Sequence, residues 1–381
     1  MTHLLRIVVV IFIFLWISGC EKPSVPLSGL KIKIGVIAPT TGASSVIGKQ
    51  GVSGISIARQ LQPYLYNGDE VELIIEDDQS DPIKSVSALD TLVNEHQVSA
   101  ILLLSGSDSA IAVAKVADKY KTPVLATIAT NPETARKSKF VSQLAFDDET
   151  QAMVAALFVR DELFIKRVAV FNNPDSAYSS YLAREFVSKF KSVGGQVTDV
   201  ISLAAEGSND YADLVAKVQR KGPALLYMPV NAKAVLAIIK AAGDLDWAVK
   251  KLATDGMLAT VIEQHEGDLG LVNGMLATDL YSRDMELTSY GKKLHKYTEE
   301  PGINITTHML AGMEGYGFLL NAINQCEAPF SGSCINDSIQ SSSAFTGITG
   351  KITIDVSGKS DRTLFVNTIK DGELKMVVKV N

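Results

Sequence analysis

The sequence predicts an α/β protein made of two doubly wound parallel-sheet lobes, and three observations lead there. From Lys31 onward, short apolar runs alternate with longer amphipathic ones, the pattern of strands and helices that build a parallel sheet covered on both faces. The alternation makes a fresh start near Asp147, as if a second unit began there. A chain of 381 residues with 46% hydrophobic content can bury a large core and is long enough for two domains.

The elements follow in order. Residues 32–38 (IKIGVIA) form a β-rich run stopped by Pro39, and residues 48–66 carry Val52, Ile55, Ala58, Leu61 and Leu65 at helical spacing. Residues 71–76 are the next strand, after which Pro82 suits the first position of a helix running toward His96. Residues 99–104 are apolar without alternation, as in a strand buried on both sides. A helix over 109–121 and a strand over 123–127 complete the first series. In the second, helices are expected over 147–163, 176–193, 210–220 and 233–242. Strands are expected over 167–171, 196–203, 224–228, 251–254 and 274–280. A long helix spans 306–324, and the tail reads as strands over 351–355, 364–369 and 374–380, with Asp371-Gly372 as a hairpin turn.

The amino terminus reads as an export signal. Arg6 precedes an apolar run over residues 7–17, too short to span a bilayer comfortably, that ends in Ser18-Gly19-Cys20. These last residues resemble the bacterial lipobox, in which the cysteine is acylated and becomes the mature terminus. Residues 1–20 are then the signal peptide, Cys20 the lipidation site, and 21–30, with two prolines and two serines, a tether. Two further cysteines, Cys326 and Cys334, lie close together in a polar stretch. They suit a disulfide closing a surface loop in an oxidising compartment, contributing about 2–3 kcal/mol. A metal site would need a third thiol or a histidine nearby, and neither is present in that stretch.

Four stretches resemble the leucine/isoleucine/valine-binding proteins, the extracytoplasmic receptors of branched-chain amino-acid ABC transporters. They are residues 34–42 (IGVIAPTTG) with Gly48, 76–82 (EDDQSDP), 127–133 (TIATNPE), and 345–355 (FTGITGKITID) with Gly358. They lie in family order across nearly the whole chain. The resemblance implies the type I periplasmic-binding-protein fold, two lobes joined by three hinge crossings. These are expected near residues 146–148, 279–283 and 346–350. Lobe one would combine 31–146 with 282–345, and lobe two 147–281 with 346–381.

Ligands of open α/β sheets bind outside the carboxyl ends of the strands. Ser105, Gly106 and Ser107 follow one such end, before a helix expected to begin near Ala110, and offer hydroxyls and close backbone approach to a carboxylate. The same residues also suit an ordinary capped helix. Asp108 beside them would repel an anion or cap the helix. The resemblance places Ile128 and Thr130 against the ligand, Tyr178 as an aromatic over it, and Asp255 as the partner of a ligand ammonium. It also implies cleft aromatics where this chain has Ile47 and Val230.

These residues imply a lipid-anchored binding protein that takes an amino acid or related small carboxylate and docks on ABC permease subunits. A ligand sensor or regulator of an envelope enzyme on the same fold is the alternative. The net charge of −6, with no long basic block, argues against nucleic acid as a partner. No Walker-type glycine loop, HExxH pair or GxSxG elbow occurs, so neither catalysis nor a cofactor is expected.

Overall fold

The computed structural model describes residues 28–205, 207–265, 269–299, 302–341 and 345–381. The expected signal peptide, Cys20 and most of the tether lie outside them. Two sheets organise the chain. The first is five-stranded and parallel, built from β1 (Lys31–Ala38), β2 (Glu70–Asp77), β3 (Ala100–Leu103), β4 (Val124–Ala126) and β5 (Val141–Gln143) in the order β2-β1-β3-β4-β5. Its connections are α1 (Ser45–Leu61), α2 (Pro82–Asn94), α3 (Ser107–Ala117) and the short α4 (Glu133–Arg136). Strand pleating sends alternate residues to opposite faces. Thus Ile32, Ile34 and Val36 enter one core and Ile37 another, while Leu102 and Leu103 divide in the same way.

The second lobe begins with α5 (Asp148–Leu157), extended by a π-helical segment over Phe158–Glu162. It continues through β6 (Arg167–Asn172), α6 (Ala177–Ser192), β7 (Gln196–Ser202), α7 (Tyr211–Arg220) and β8 (Leu225–Tyr227). Next come α8 (Ala232–Asp244), β9 (Lys250–Ala253), α9 (Met257–Gln264) and β10 (Leu276–Asp279). The chain then returns to the first lobe as α10 (Ser289–Glu299), α11 (Thr307–Ile323) and α12 (Gly332–Gln340). A small antiparallel sheet follows, β11 (Phe345–Thr346), β12 (Lys351–Ile354) and β13 (Ser360–Asp361). The hairpin of β14 (Leu364–Lys370) and β15 (Glu373–Val380) ends the chain on the second sheet, whose order is β15-β14-β10-β9-β8-β6-β7. Asp371 (φ 53°) and Gly372 (φ 78°) supply the two left-handed residues that such a hairpin turn requires.

Several boundaries differ from those expected. Helix α3 begins at Ser107 rather than near Ala110, because Ser107 and Ser109 are polar yet buried in its first turn. Cys334 lies in α12, so the disulfide to Cys326 (S–S 2.09 Å) ties a helix to the end of α11 rather than closing a plain loop. Ile352 and Ile354 of β12 pack into the first lobe's core, and the β13 hydroxyl of Ser360 donates to the Ala145 carbonyl at 2.7 Å. The third pass between sheets therefore falls at Arg362–Thr363, later than residues 346–350.

Helix α11 is almost wholly buried against α1, and glycines make that approach possible. A Cβ on Gly54 would lie 1.9 Å from the Met309 carbonyl oxygen, and one on Gly312 would lie 2.1 Å from that of Gly51. The same helix carries Glu314, which meets Arg362 at 2.6 Å with both side chains fully buried. Glu314 Oε1 also accepts the Ile348 and Thr349 amides, at 2.7 and 3.1 Å, while Arg362 Nη1 donates to the Leu144 carbonyl at 3.2 Å. One ion pair thus joins α11, the strand leaving β5 and the third pass.

Breaking a buried pair strands a charge and typically costs about 3–5 kcal/mol. We expect Arg362→Met to lower the unfolding free energy by about that amount in urea titration, with part regained in Glu314→Gln/Arg362→Met. Equal midpoints for the single variant and the unaltered chain would show the pair to be structurally idle.

Candidate ligand-binding site

The two sheets face each other across a cleft at the carboxyl ends of their strands, where open α/β sheets present their helix amino termini. Most of the helices are capped by a side chain. Asp81, Asp147, Ser176, Asp210, Asn231, Thr306 and Ser331 each accept an amide of the first turn of α2, α5, α6, α7, α8, α11 and α12. Helices α1, α3 and α9 differ: Ser44, Gly106 and Gly256 precede them and make no side-chain cap. The starts of α1 and α9 line the cleft chamber, that of α3 does not, and first-turn amides without a cap are suited to a ligand anion.

On the first lobe, the α3 loop is held from beneath. The Ser105 hydroxyl is buried and donates to Asp78 Oδ2, which also takes the Ser85 hydroxyl at 2.7 Å. Ser105 is thus a fastener for the loop rather than a free ligand hydroxyl. Gly106 is exposed at φ −66°, and a Cβ there would meet no protein atom within 4 Å, so the protein itself does not require glycine at this point. Ser107 accepts the Asn131 amide at 3.2 Å. Ile128 is half-buried after β4, and the buried Thr130 hydroxyl forms no well-aligned hydrogen bond.

On the second lobe, Tyr178 and Asp255 come together. The Tyr178 hydroxyl donates to Asp255 Oδ1 at 2.9 Å, and Gln151 Nε2 donates to the same oxygen at 2.7 Å and to Thr278 Oγ1 at 2.7 Å. Asp255 lines a chamber of about 380 Å³ with Ser44, Ile47, Asn231, Gly256 and His308. Ile47 therefore faces the cleft, whereas Val230 is buried in the second lobe's core and its neighbour Asn231 lines the chamber instead. Gly256 needs its glycine twice over: φ is +70°, and a Cβ would reach within 2.8 Å of the His308 ring.

Behind Asp255 lies a carboxylate that the sequence reading passed over. Asp148, at the start of α5, is fully buried, with the Thr130 hydroxyl acting on its carboxyl as a donor but no well-aligned hydrogen bond to either oxygen. Burial, with the charge of Asp255 adding to it, pushes its carboxyl well above the usual range. Burial also raises Asp255, against hydrogen bonds from Gln151 and Tyr178 that pull the other way. Asp279 is raised by burial to about 7 despite the Thr307 hydroxyl at 2.7 Å. The buried hydroxyl of Tyr227 has no hydrogen-bond partner among the described residues. Such a cluster suits a polar ligand bearing a cation, because a buried acceptor or carboxylate left without a donor is costly. Its signal in the sequence is the Asp148/Gln151 spacing, three residues apart on one face of a helix start.

A profile of the periplasmic binding protein family matches residues 31–373. The chain belongs to this family, whose members bind solutes rather than catalyse reactions. It is 24% identical over 313 residues, 80% of each chain, to an amino acid binding protein of Pseudomonas aeruginosa. The leucine-binding protein LivK of Thermotoga maritima superposes with a TM-score of 0.85 at 29% identity, over 92% of this chain and 99% of that one. A solute-binding protein of an ABC transporter from Rhodopseudomonas palustris, in complex with 3,4-dihydroxybenzoic acid, shares the fold at 20% identity. Its TM-score is 0.80 over 92% of this chain and 97% of that one. The family places the chain outside the cytoplasm, and no helix among the described residues is long and apolar enough to cross a membrane.

Two cleft groups give the fold a pH signature. Burial holds His308 at about 4 against 6.5 in the unfolded chain, so the unfolded state takes up its proton first and stability falls as pH drops from 6.5 toward 4. The linked loss approaches about 3 kcal/mol. Asp279 acts oppositely: its folded carboxyl keeps a proton to about 7 against 3.8 unfolded, so its contribution is full below 3.8 and lost as pH rises through 7. Thermal melting from pH 4 to 7 should show a flatter acid limb in His308→Leu and a steeper one in Asp279→Asn. Unchanged profiles in both would contradict this assignment.

Proposed function

We propose that this chain is the lipid-anchored receptor of an ABC transporter, binding an amino acid between two lobes that close upon it. The observation that carries this reading is the opposed polarity of the cleft walls. One wall offers the uncapped first turn of α3 with the Ser107 and Thr130 hydroxyls, and the other offers Asp255 beneath Tyr178. A ligand carboxylate meets the amides and hydroxyls, and its ammonium meets Asp255 in a charge-assisted bond. Tyr178 supplies an apolar face to the ligand's side chain.

The acid on the second wall favours an amino acid among the solutes named for the relatives. A benzoate lacks an ammonium, and would leave the Asp255 carboxylate against an anionic guest at a cost of several kcal/mol. An amino acid supplies the cation that pairs with it. In this reading the first moving body comprises residues 31–146 with 282–361, and the second comprises 147–281 with the β14–β15 hairpin. Cys20 carries the acyl chains, and residues 21–30 give the body its reach from the membrane. Capture of permease subunits from solubilised membranes supports transport, whereas capture of a cell-wall enzyme supports the regulatory alternative.

Isothermal titration with leucine, isoleucine, valine, alanine, threonine and 4-hydroxybenzoate checks the assignment. We expect one amino acid per chain, no heat from the benzoate, and a loss of about a hundredfold in Asp255→Ala. Affinity should weaken on acidification, because the raised carboxyl of Asp255 becomes neutral while the ligand ammonium stays charged. If no amino acid in the panel gives heat, the reading is wrong.

A further inference from the structure

Asp108, which stood out in the sequence as a charge beside a carboxylate site, reaches across the cleft instead. Its Oδ1 accepts the Ala177 amide at 2.8 Å and its Oδ2 the Ser176 hydroxyl at 3.1 Å, both at the start of α6 in the other lobe. From the next loop of the first lobe, Asn131 Nδ2 donates to the Ala177 carbonyl at 2.8 Å. The two faces of one residue are thus gripped by two side chains from the opposite lobe. Both arms are braced: Ser107, adjacent to Asp108, accepts the Asn131 amide at 3.2 Å, and Asn131 Oδ1 accepts the Glu133 amide at 3.0 Å.

We propose that Asp108 and Asn131 form a clasp on Ala177 that holds the two lobes together, and that Asp108 is a closure residue rather than a ligand contact. Three arguments support it. Ala177 is the first residue of α6, so its amide has no acceptor within the helix. A carboxylate at that point satisfies the amide and faces the positive end of the helix dipole, which makes the bond charge-assisted. Finally, Tyr178 is the very next residue, so the clasp sets the position from which its hydroxyl reaches Asp255. The charge of Asp108 is spent on α6, which leaves the first turn of its own helix, α3, open to an anion.

The opposite end of the cleft has a weaker fastening. Gln50 Nε2 donates to Glu263 at 3.2 Å in an exposed contact, where solvent competes. The clasp acts alongside other interlobe polar contacts, Arg136 with Glu149 at 2.9 Å and the Thr307 hydroxyl on Asp279 at 2.7 Å, and an open–closed equilibrium should respond to it more than to the exposed Gln50 contact.

Amide hydrogen exchange on the full chain tests this without knowledge of the ligand. We expect the Ala177 amide to be protected in the unaltered chain and to exchange at least about tenfold faster in Asp108→Ala, the scale of one charge-assisted bond. Asp108→Asn keeps an acceptor but no charge, and should fall between. Asn131→Ala should also speed Ala177 by releasing the other arm. Simple destabilisation of the second lobe would speed exchange throughout α6, whereas loss of the clasp confines the change to its first turn. The proposal is overturned if Ala177 exchanges as an open amide in the unaltered chain. It is equally overturned if Asp108→Ala and Asp108→Asn leave its protection unchanged, or speed the whole helix alike.

Discussion

The buried ion pair between Glu314 and Arg362 governs how the two sheets are joined. Two opposite charges with no solvent contact must satisfy one another and their remaining lone pairs and protons locally. Glu314 accepts the Ile348 and Thr349 amides, and Arg362 donates to the Leu144 carbonyl and the Thr349 hydroxyl, with its Nε left unpaired among the described residues. These partners come from two segments far apart in sequence, one following β5 and the other between β11 and β12. Lys359, which meets Asp147 at 2.7 Å at the cap of α5, ties the first pass to the same region.

The cleft lies at the carboxyl ends of the two sheets that this pair helps to join. The strands end on it, so their loops and helix starts become its walls, and the polar groups on those walls have divided roles. Ser105 and Asn131 brace loops, Asp108 spans the gap, and Ser107, Thr130, Tyr178 and Asp255 are the groups we propose for the solute. A single row of serines in the sequence thus contains both structural and recognition chemistry. Which serine does which depends on partners such as Asp78 and Asn131, more than twenty residues away in the chain.

Much of the fold was legible because its strands are buried in a simple way. The run IKIGVIA and the unbroken AILL of β3 state their periodicity in a few residues, and the Asp371-Gly372 turn declares the final hairpin. Strand β5 escaped notice since it is three residues long and two of them, Ser142 and Gln143, are polar yet buried. Helix α12 was hidden by the serines and the disulfide around it, and α10 by its many exposed lysines. At the site, Tyr178 and Asp255 are singled out by family pattern, and the structure places them in hydrogen-bond contact. The Gln151–Asp255 bond joins positions 104 apart and could not be read from any local signal. Asp108 misled for the same reason: a charge near an anion site looks repulsive until its partner across the cleft is known.

At the close seam between α1 and α11, Gly54 and Gly312 let backbone touch backbone, so a larger residue at either would have to push the two helices apart. Helix α1 brings Ile47 to the chamber, and His308 of α11 lines it too, so a change made deep in that seam would be felt at the cleft wall without touching any residue that faces the solute.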